Sequence, residues 1–131
     1  MVFIVDDSQA LRERLVSMFA EIEGVEVLGQ ARNVAEALEG VRALRPGVVI
    51  LDIQMPGGSG IDVLREIKQA ADPPVVLMLT NHAFPQYRRK CMELGADYFL
   101  DKTRDFHRLP EIFRQLSERL GRAKMPEELS Q

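Results

Sequence analysis

The chain has one cysteine, Cys91, in 131 residues, so no internal disulfide can form, and one Cys with two distant histidines gives no zinc-ligand spacing. A reducing cytosol suits such a chain. Long apolar runs are also missing: nothing approaches the roughly 20 uninterrupted apolar residues of a membrane span, so a soluble protein without membrane contacts is expected. No basic leader opens the chain, because the core-like run from Met1 to Val5 meets Asp6 and Asp7 at once, which argues against secretion and for a cytoplasmic protein. A basic excess is lacking too. With a net charge of −3 there is no general attraction to nucleic acid, and DNA binding by this chain alone is disfavoured. Internal repeats and low-complexity tracts are absent.

What is present reads as one globular domain: 46% hydrophobic and 28% charged residues, in a length that buries one self-sufficient core. Short apolar runs alternate with amphipathic segments from end to end. The spacing predicts strands over 2–6, 25–30, 48–52, 75–80 and 96–101. Between and after them it predicts five helices. The first carries Leu11, Leu15, Met18, Phe19 and Ile22 on one face and stops at Gly24. The second is capped by Asn33, with Glu36 three residues on, and turns Val34, Ala37, Leu38, Val41 and Leu44 inward until "RPG" closes it. The third runs over 61–71 with Ser59 as N-cap, and Ile61, Leu64 and Ile67 inside. The fourth runs through "FPQYRRKCMEL" (84–94), with Pro85 in its first turn, and ends at Gly95. The last spans 106–120 with Leu109, Ile112, Phe113, Leu116 and Leu120 inward.

The first, third and fourth strands are apolar on both faces, which places them centrally, whereas Glu26 and Gln30 mark the second as an edge. Right-handed crossovers then give an α/β, doubly wound (βα)5 flavodoxin-like sandwich with strand order 2-1-3-4-5. Ligands in such sheets bind beyond the carboxyl ends of the strands.

At those ends the sequence puts Asp6 and Asp7, Asp52, Thr80 and Lys102. Singly, each has an ordinary reading: Asp7 as a helix cap, Asp52 as a turn residue, Thr80 as a β-branched strand end, Lys102 as a surface lysine. Together they occupy the ends of four strands, and a buried third strand has no structural need of a terminal charge. Three crowded carboxylates repel one another and raise at least one pKa unless a cation sits among them. A hard divalent ion with oxygen ligands, Mg2+, fits this set. The ammonium and hydroxyl suit phosphoryl oxygens.

The stretches "FIVDDS" (3–8), "VVILDIQMPGGSG" (48–60), "VVLMLT" (75–80) and "GADYFLDK" (95–102) resemble the CheY-like receiver domain of bacterial two-component response regulators, over about residues 2–120. The resemblance implies that Asp52 is the phosphoacceptor, taking a phosphoryl group from a histidine kinase or phosphotransfer protein. It implies that Asp7, Asp52 and the backbone carbonyl of Gln54 bind Mg2+, with Asp6 acting on the ion through a water. Lys102 would contact a phosphoryl oxygen, Thr80 would swing in to bond another, and Phe99 would be the aromatic switch. Such a domain is a signalling phosphoacceptor that assists its own phosphorylation rather than an enzyme acting on a separate substrate. Met55, Pro56 and Gly60 match the loop after the acceptor. Three features depart from the family or vary within it. Thr103 follows the lysine where proline is common, Asn81 replaces a very small residue, and Gln54 and His82 fill positions that tune the acyl phosphate's lifetime.

The remaining features read as structure. "YRRK" (87–90) is a solvated basic face or a docking surface, Cys91 and Leu94 lie inward with Phe84, and His107 is exposed. Residues 1–120 form the receiver, and 121–131 form a polar tail, frayed or disordered and too short for an output domain. The expectation is a stand-alone receiver signalling to a downstream protein. Its rivals are the receiver of a longer DNA-binding regulator, a degenerate partner-binding receiver, and a small Mg2+-dependent aspartyl phosphatase. Gln54 argues against the last, since such enzymes usually carry a second Asp at that position.

Overall fold

A computed structural model describes the backbone of residues 1–129 and the side chains through residue 120. Strands β1 (Val2–Val5), β2 (Val27–Ala31), β3 (Val48–Leu51), β6 (Val75–Thr80) and β7 (Tyr98–Asp101) form one sheet in the order β2-β1-β3-β6-β7. All four pairings are parallel, with Val5 level with Leu51, Leu51 with Met78, and Thr80 with Asp101. This is the expected 2-1-3-4-5 arrangement. It brings the ends of β1, β3, β6 and β7 to one rim. β1 and β3 are buried at every residue, as apolar runs covered on both faces must be.

Helices α1 (Gln9–Ala20) and α5 (Leu109–Leu129) cover one face, where Phe19 and Phe113 pack with ring centroids 4.5 Å apart. Helices α2 (Val34–Leu44), α3 (Gly60–Ile67) and α4 (Pro85–Glu93) cover the other. Asn33 and Ser59 cap α2 and α3 as expected, accepting from the N–H groups of Glu36 and Ile61. His107 is exposed and Cys91 is buried.

Ser8 caps α1, its hydroxyl accepting from the Leu11 N–H at 3.2 Å, which leaves Asp7 without the cap role of its ordinary reading. Several expectations are corrected. β2 starts at Val27 because Val25 closes a turn onto the Ile22 carbonyl. α3 ends at Ile67, short of residue 71. β7 begins at Tyr98 because the Ala96 N–H closes α4 on the Cys91 carbonyl. Leu44 and Phe84, placed inward by periodicity, are 44% and 50% exposed; each sits at a helix end, beyond the reach of the packed faces. The loop after β3 holds an unforeseen antiparallel pair, β4 (Gln54–Met55) and β5 (Gly58–Ser59). Pro56 followed by Gly57 at φ +86° supplies its turn. α5 continues past Leu120, because Gly121 is a weak stop when good helix formers follow it. Residues 130–131 of the expected tail lie outside the described residues. Among the described residues no helix is long and apolar enough to cross a membrane.

Candidate functional site

The rim carries the buried polar groups. Among the described residues, Asp6 (2% exposed), Asp52 (5%) and Thr80 (0%) are the buried polar or charged side chains, and all three terminate strands of the main sheet. Asp6 is held by the β2 end through its N–H to the Ala31 carbonyl (3.0 Å), and its Oδ1 accepts from the Ser8 N–H at 2.8 Å. Asp52 donates its N–H to the Val5 carbonyl, and its Oδ1 accepts from the Ile53 N–H at 2.6 Å. Lys102 enters from the end of β7, its N–H on the Thr80 carbonyl at 3.0 Å. Its Nζ lies 2.8 Å from Asp6 Oδ2 and 2.7 Å from Asp52 Oδ2. One ammonium thus bridges two strand-end carboxylates inside the rim.

Asp7 is exposed beside this pair, and carboxylate oxygens of Asp6, Asp7 and Asp52 lie within 4.8 Å of one another. Three oxygen donors at that separation fit a hard divalent cation. Asp7 and Gln54 also line an open groove of about 570 Å³ between the β4–β5 loop and Tyr87. Through this groove the acidic cluster is open to solvent.

The electrostatics follow from burial. Burial pushes the Asp6 carboxyl above its usual range, against the Lys102 hydrogen bond and the Ser8 N–H that favour its ionised form. Crowding was expected to raise such a pKa, but repulsion from Asp52 is the smallest of the causes. Burial acts against the Lys102 charge, yet the hydrogen bonds to Asp52 and Asp6 outweigh it, and its pKa is raised. The lysine is therefore a fixed cation at neutral pH.

Thr80 and Phe99 stand on the β6 and β7 side of the rim. The Thr80 hydroxyl accepts from the His82 N–H at 2.9 Å, which ties it to the loop before α4. Phe99 is buried, with the Arg88 guanidinium 6.0 Å from its ring centroid and Arg88 Nη1 donating to its carbonyl at 3.4 Å. Asn81 is exposed. The Thr103 departure is absorbed locally: its N–H and that of Arg104 donate to Asp101 Oδ1 at 2.8 and 2.9 Å, a bond proline could not make at 103. These N–H groups hold the Asp101 carboxyl below its ordinary value.

The sequence reading missed three supports. Arg12 donates to the Asp6 carbonyl at 2.7 Å, and Ser8 both caps α1 and orients Asp6. Gly60, read only as part of a loop pattern, packs on Asp52: a Cβ there would stand 1.7 Å from the Asp52 carbonyl oxygen. Ser8 and Gly60 carried a signal, a cap residue before a helix and a glycine at a strand-to-helix passage. Arg12 carried none beyond its place in the first turns of α1.

The family model of the response regulator receiver domain matches residues 2–114. The chain belongs to the response regulator receiver family. A response regulatory protein of Vibrio cholerae is 38% identical over 113 residues, 86% of this chain and 46% of that protein. A protein-glutamate methylesterase/protein-glutamine glutaminase of Bacillus subtilis is 33% identical across 95% of this chain and 38% of its own length. This receiver thus spans less than half the length of either relative. Among solved structures, the CheX–CheY–BeF3–Mg2+ complex from Borrelia burgdorferi matches with TM-score 0.73 and 29% identity, covering 86% of this chain and 87% of that one. Receiver domains are signalling phosphoacceptors that generally use Mg2+ at an acidic pocket and interact with histidine kinases or phosphotransfer proteins and with downstream targets.

Proposed function

We propose that this receiver takes a phosphoryl group onto Asp52 from the phosphohistidine of a histidine kinase or phosphotransfer protein. The observation that carries the reading is Lys102 Nζ, 2.7 Å from Asp52 and 2.8 Å from Asp6, at the carboxyl ends of the central strands. A carboxylate oxygen of Asp52 attacks phosphorus as the bond to the donor's imidazole nitrogen breaks. Asp7, Asp52 and the Gln54 carbonyl would hold Mg2+, with Asp6 acting through a water, and the ion when bound would supply positive charge to the phosphoryl oxygens. Lys102 neutralises a further oxygen. Thr80 leaves the His82 N–H so that its hydroxyl donates a hydrogen bond to the acyl phosphate, and that move releases the loop before α4 beside Phe99. A two-state surface biased in this way can be read by a downstream protein.

The test is intact mass after incubation with Mg2+ and a small acyl phosphate. A gain of one phosphoryl group by the wild type, lost in Asp52→Asn and with a chelator, supports the reading. No gain with Mg2+ bound favours a degenerate receiver that works through partner contacts alone.

We further propose that the receiver, residues 1–120, acts as a stand-alone cytoplasmic switch. A second reading is favoured by the relatives, since the chain spans 46% and 38% of their lengths: the receiver of a longer regulator, DNA-binding or otherwise. A native reading frame continuing past Gln131 into a folded domain would decide for the second.

A further inference from the structure

We propose that Arg12 is a positioning residue for the cation end of the site, acting through the peptide that joins Asp6 to Asp7; this rests on the Mg2+ reading above. The two aspartates are held very differently. Asp6 is fixed at its N–H by the Ala31 carbonyl, at Oδ1 by the Ser8 N–H and at Oδ2 by Lys102. The Asp7 carboxylate is exposed and, among the described residues, has no hydrogen-bond or ion-pair partner. Its approach to within 4.8 Å of the other two carboxylates is therefore set by the backbone and its own side-chain torsions, with no partner to steer it.

That backbone is held on both sides of the Asp7 Cα: the Asp7–Ser8 peptide donates the Ser8 N–H to Asp6 Oδ1 at 2.8 Å, and the Asp6–Asp7 peptide is held at the Asp6 carbonyl. The Asp6 carbonyl lies in the same planar unit as the Asp7 nitrogen. Arg12 Nη1 donates to this carbonyl at 2.7 Å, and Arg12 Nε donates to Gln30 Oε1 at 3.1 Å. The guanidinium is rigid and planar, so two bonds to two elements fix its orientation. Gln30 belongs to β2 and pairs in register with Ile4 of β1, so the brace rests on the sheet itself. Arg12 thereby ties the Asp6–Asp7 peptide plane to the strand edge, and with it the direction in which Asp7 leaves the chain.

Charge and anchoring predict opposite outcomes. A guanidinium near three carboxylates repels an incoming cation, so its charge alone weakens Mg2+ binding, and removing it would tighten binding. Loss of the anchor frees Asp7 and weakens binding. Anchoring should win, because losing a group that orients a metal ligand typically costs 10–100-fold in affinity, whereas a half-exposed charge is screened by solvent and salt.

The experiment is calorimetric titration of Mg2+ into the full chain, for wild type, Arg12→Ala, Arg12→Lys and Gln30→Ala, with thermal unfolding of each. Arg12→Ala is expected to weaken Mg2+ about tenfold. Arg12→Lys, which keeps the charge and one donor, recovers part of the loss. Gln30→Ala weakens binding in the same direction by a smaller factor with every charge in place, and it keeps the proposal testable if Arg12→Ala fails to fold. Unchanged or tighter Mg2+ binding by folded Arg12→Ala overturns the proposal alone, as does unchanged binding by Gln30→Ala when Arg12→Ala does not fold. Absence of Mg2+ binding by the wild type overturns the functional reading and this inference with it.

Discussion

Lys102 is the counter-charge of the rim before any ion or phosphoryl group arrives. It lies between Asp6 and Asp52, all three with side chains 12% exposed or less. Breaking a buried pair by removing one partner leaves uncompensated charge, at a cost of about 3–5 kcal/mol. Lys102→Met should therefore lower stability in chelator by about 3 kcal/mol, relieved in part because burial already favours protonation of Asp6. Mg2+ should restore much of the loss, since the same oxygens are then free to bind it. Urea midpoints with chelator and with Mg2+ check both halves. Equal stability of variant and wild type in chelator would show that the lysine is not the rim's counter-charge.

At the scale of elements, glycines set how closely strands and helices approach. Gly60 opens α3, donates its N–H to the Ile53 carbonyl at 2.6 Å, and leaves no room for a side chain beside the Asp52 carbonyl. Gly60→Ala must push α3 off the end of β3. We expect a loss of about 3 kcal/mol, read by urea unfolding, and slower acyl-phosphate labelling of Asp52. An alanine variant with wild-type stability and labelling would contradict this packing. Gly40 of α2 plays a similar part against β1, where a Cβ would stand 2.3 Å from the tip of the Phe3 ring. Gly40→Ala should cost about 1–3 kcal/mol, and Phe3→Leu, which removes that tip, should recover part of it in a double-mutant cycle. Additive losses would mean that the two do not meet.

Periodicity showed where these elements lie but not how closely they pack. Apolar runs and helix stripes predicted the parallel sheet and its order, because burial on two faces leaves few alternatives for such strands. The strand-end carboxylates were legible for the same reason, a charge closing a buried strand. Element ends were less so: α3 stops at Ile67 rather than near 71, and the β4–β5 pair depends on a turn too short to leave a periodic trace. Arg12 and the inner face of Gly60 act on backbone carbonyls, and a contact to a carbonyl leaves no mark on residue type.

At the scale of the whole molecule, two buried groups tie stability to alkaline pH. Burial pushes the Cys91 thiol up to about 11 from an ordinary 9.0, so in native protein it should resist iodoacetamide at pH 8 and react only on unfolding, as intact mass would show. The same shift has a thermodynamic sign. Above pH 9.0 the unfolded chain loses the thiol proton while the folded chain keeps it until about 11. The folded state then binds more protons, and stability falls as pH rises. A difference of about two units at 1.36 kcal/mol each sets the total near 2–3 kcal/mol. Lys102, also raised, adds its own decline only above its ordinary 10.5, where the unfolded lysine loses its charge first. The two are separable in the protein itself. Wild type and Cys91→Ala, unfolded by urea at intervals from pH 8 to 11, should converge by about 2–3 kcal/mol between 9 and 11, because only the wild type carries the thiol. The Lys102 decline should remain in both. Curves that stay parallel across that window would mean that the thiol ionises as readily in the fold as outside it, and that the face of the sheet covered by α4 is open to water.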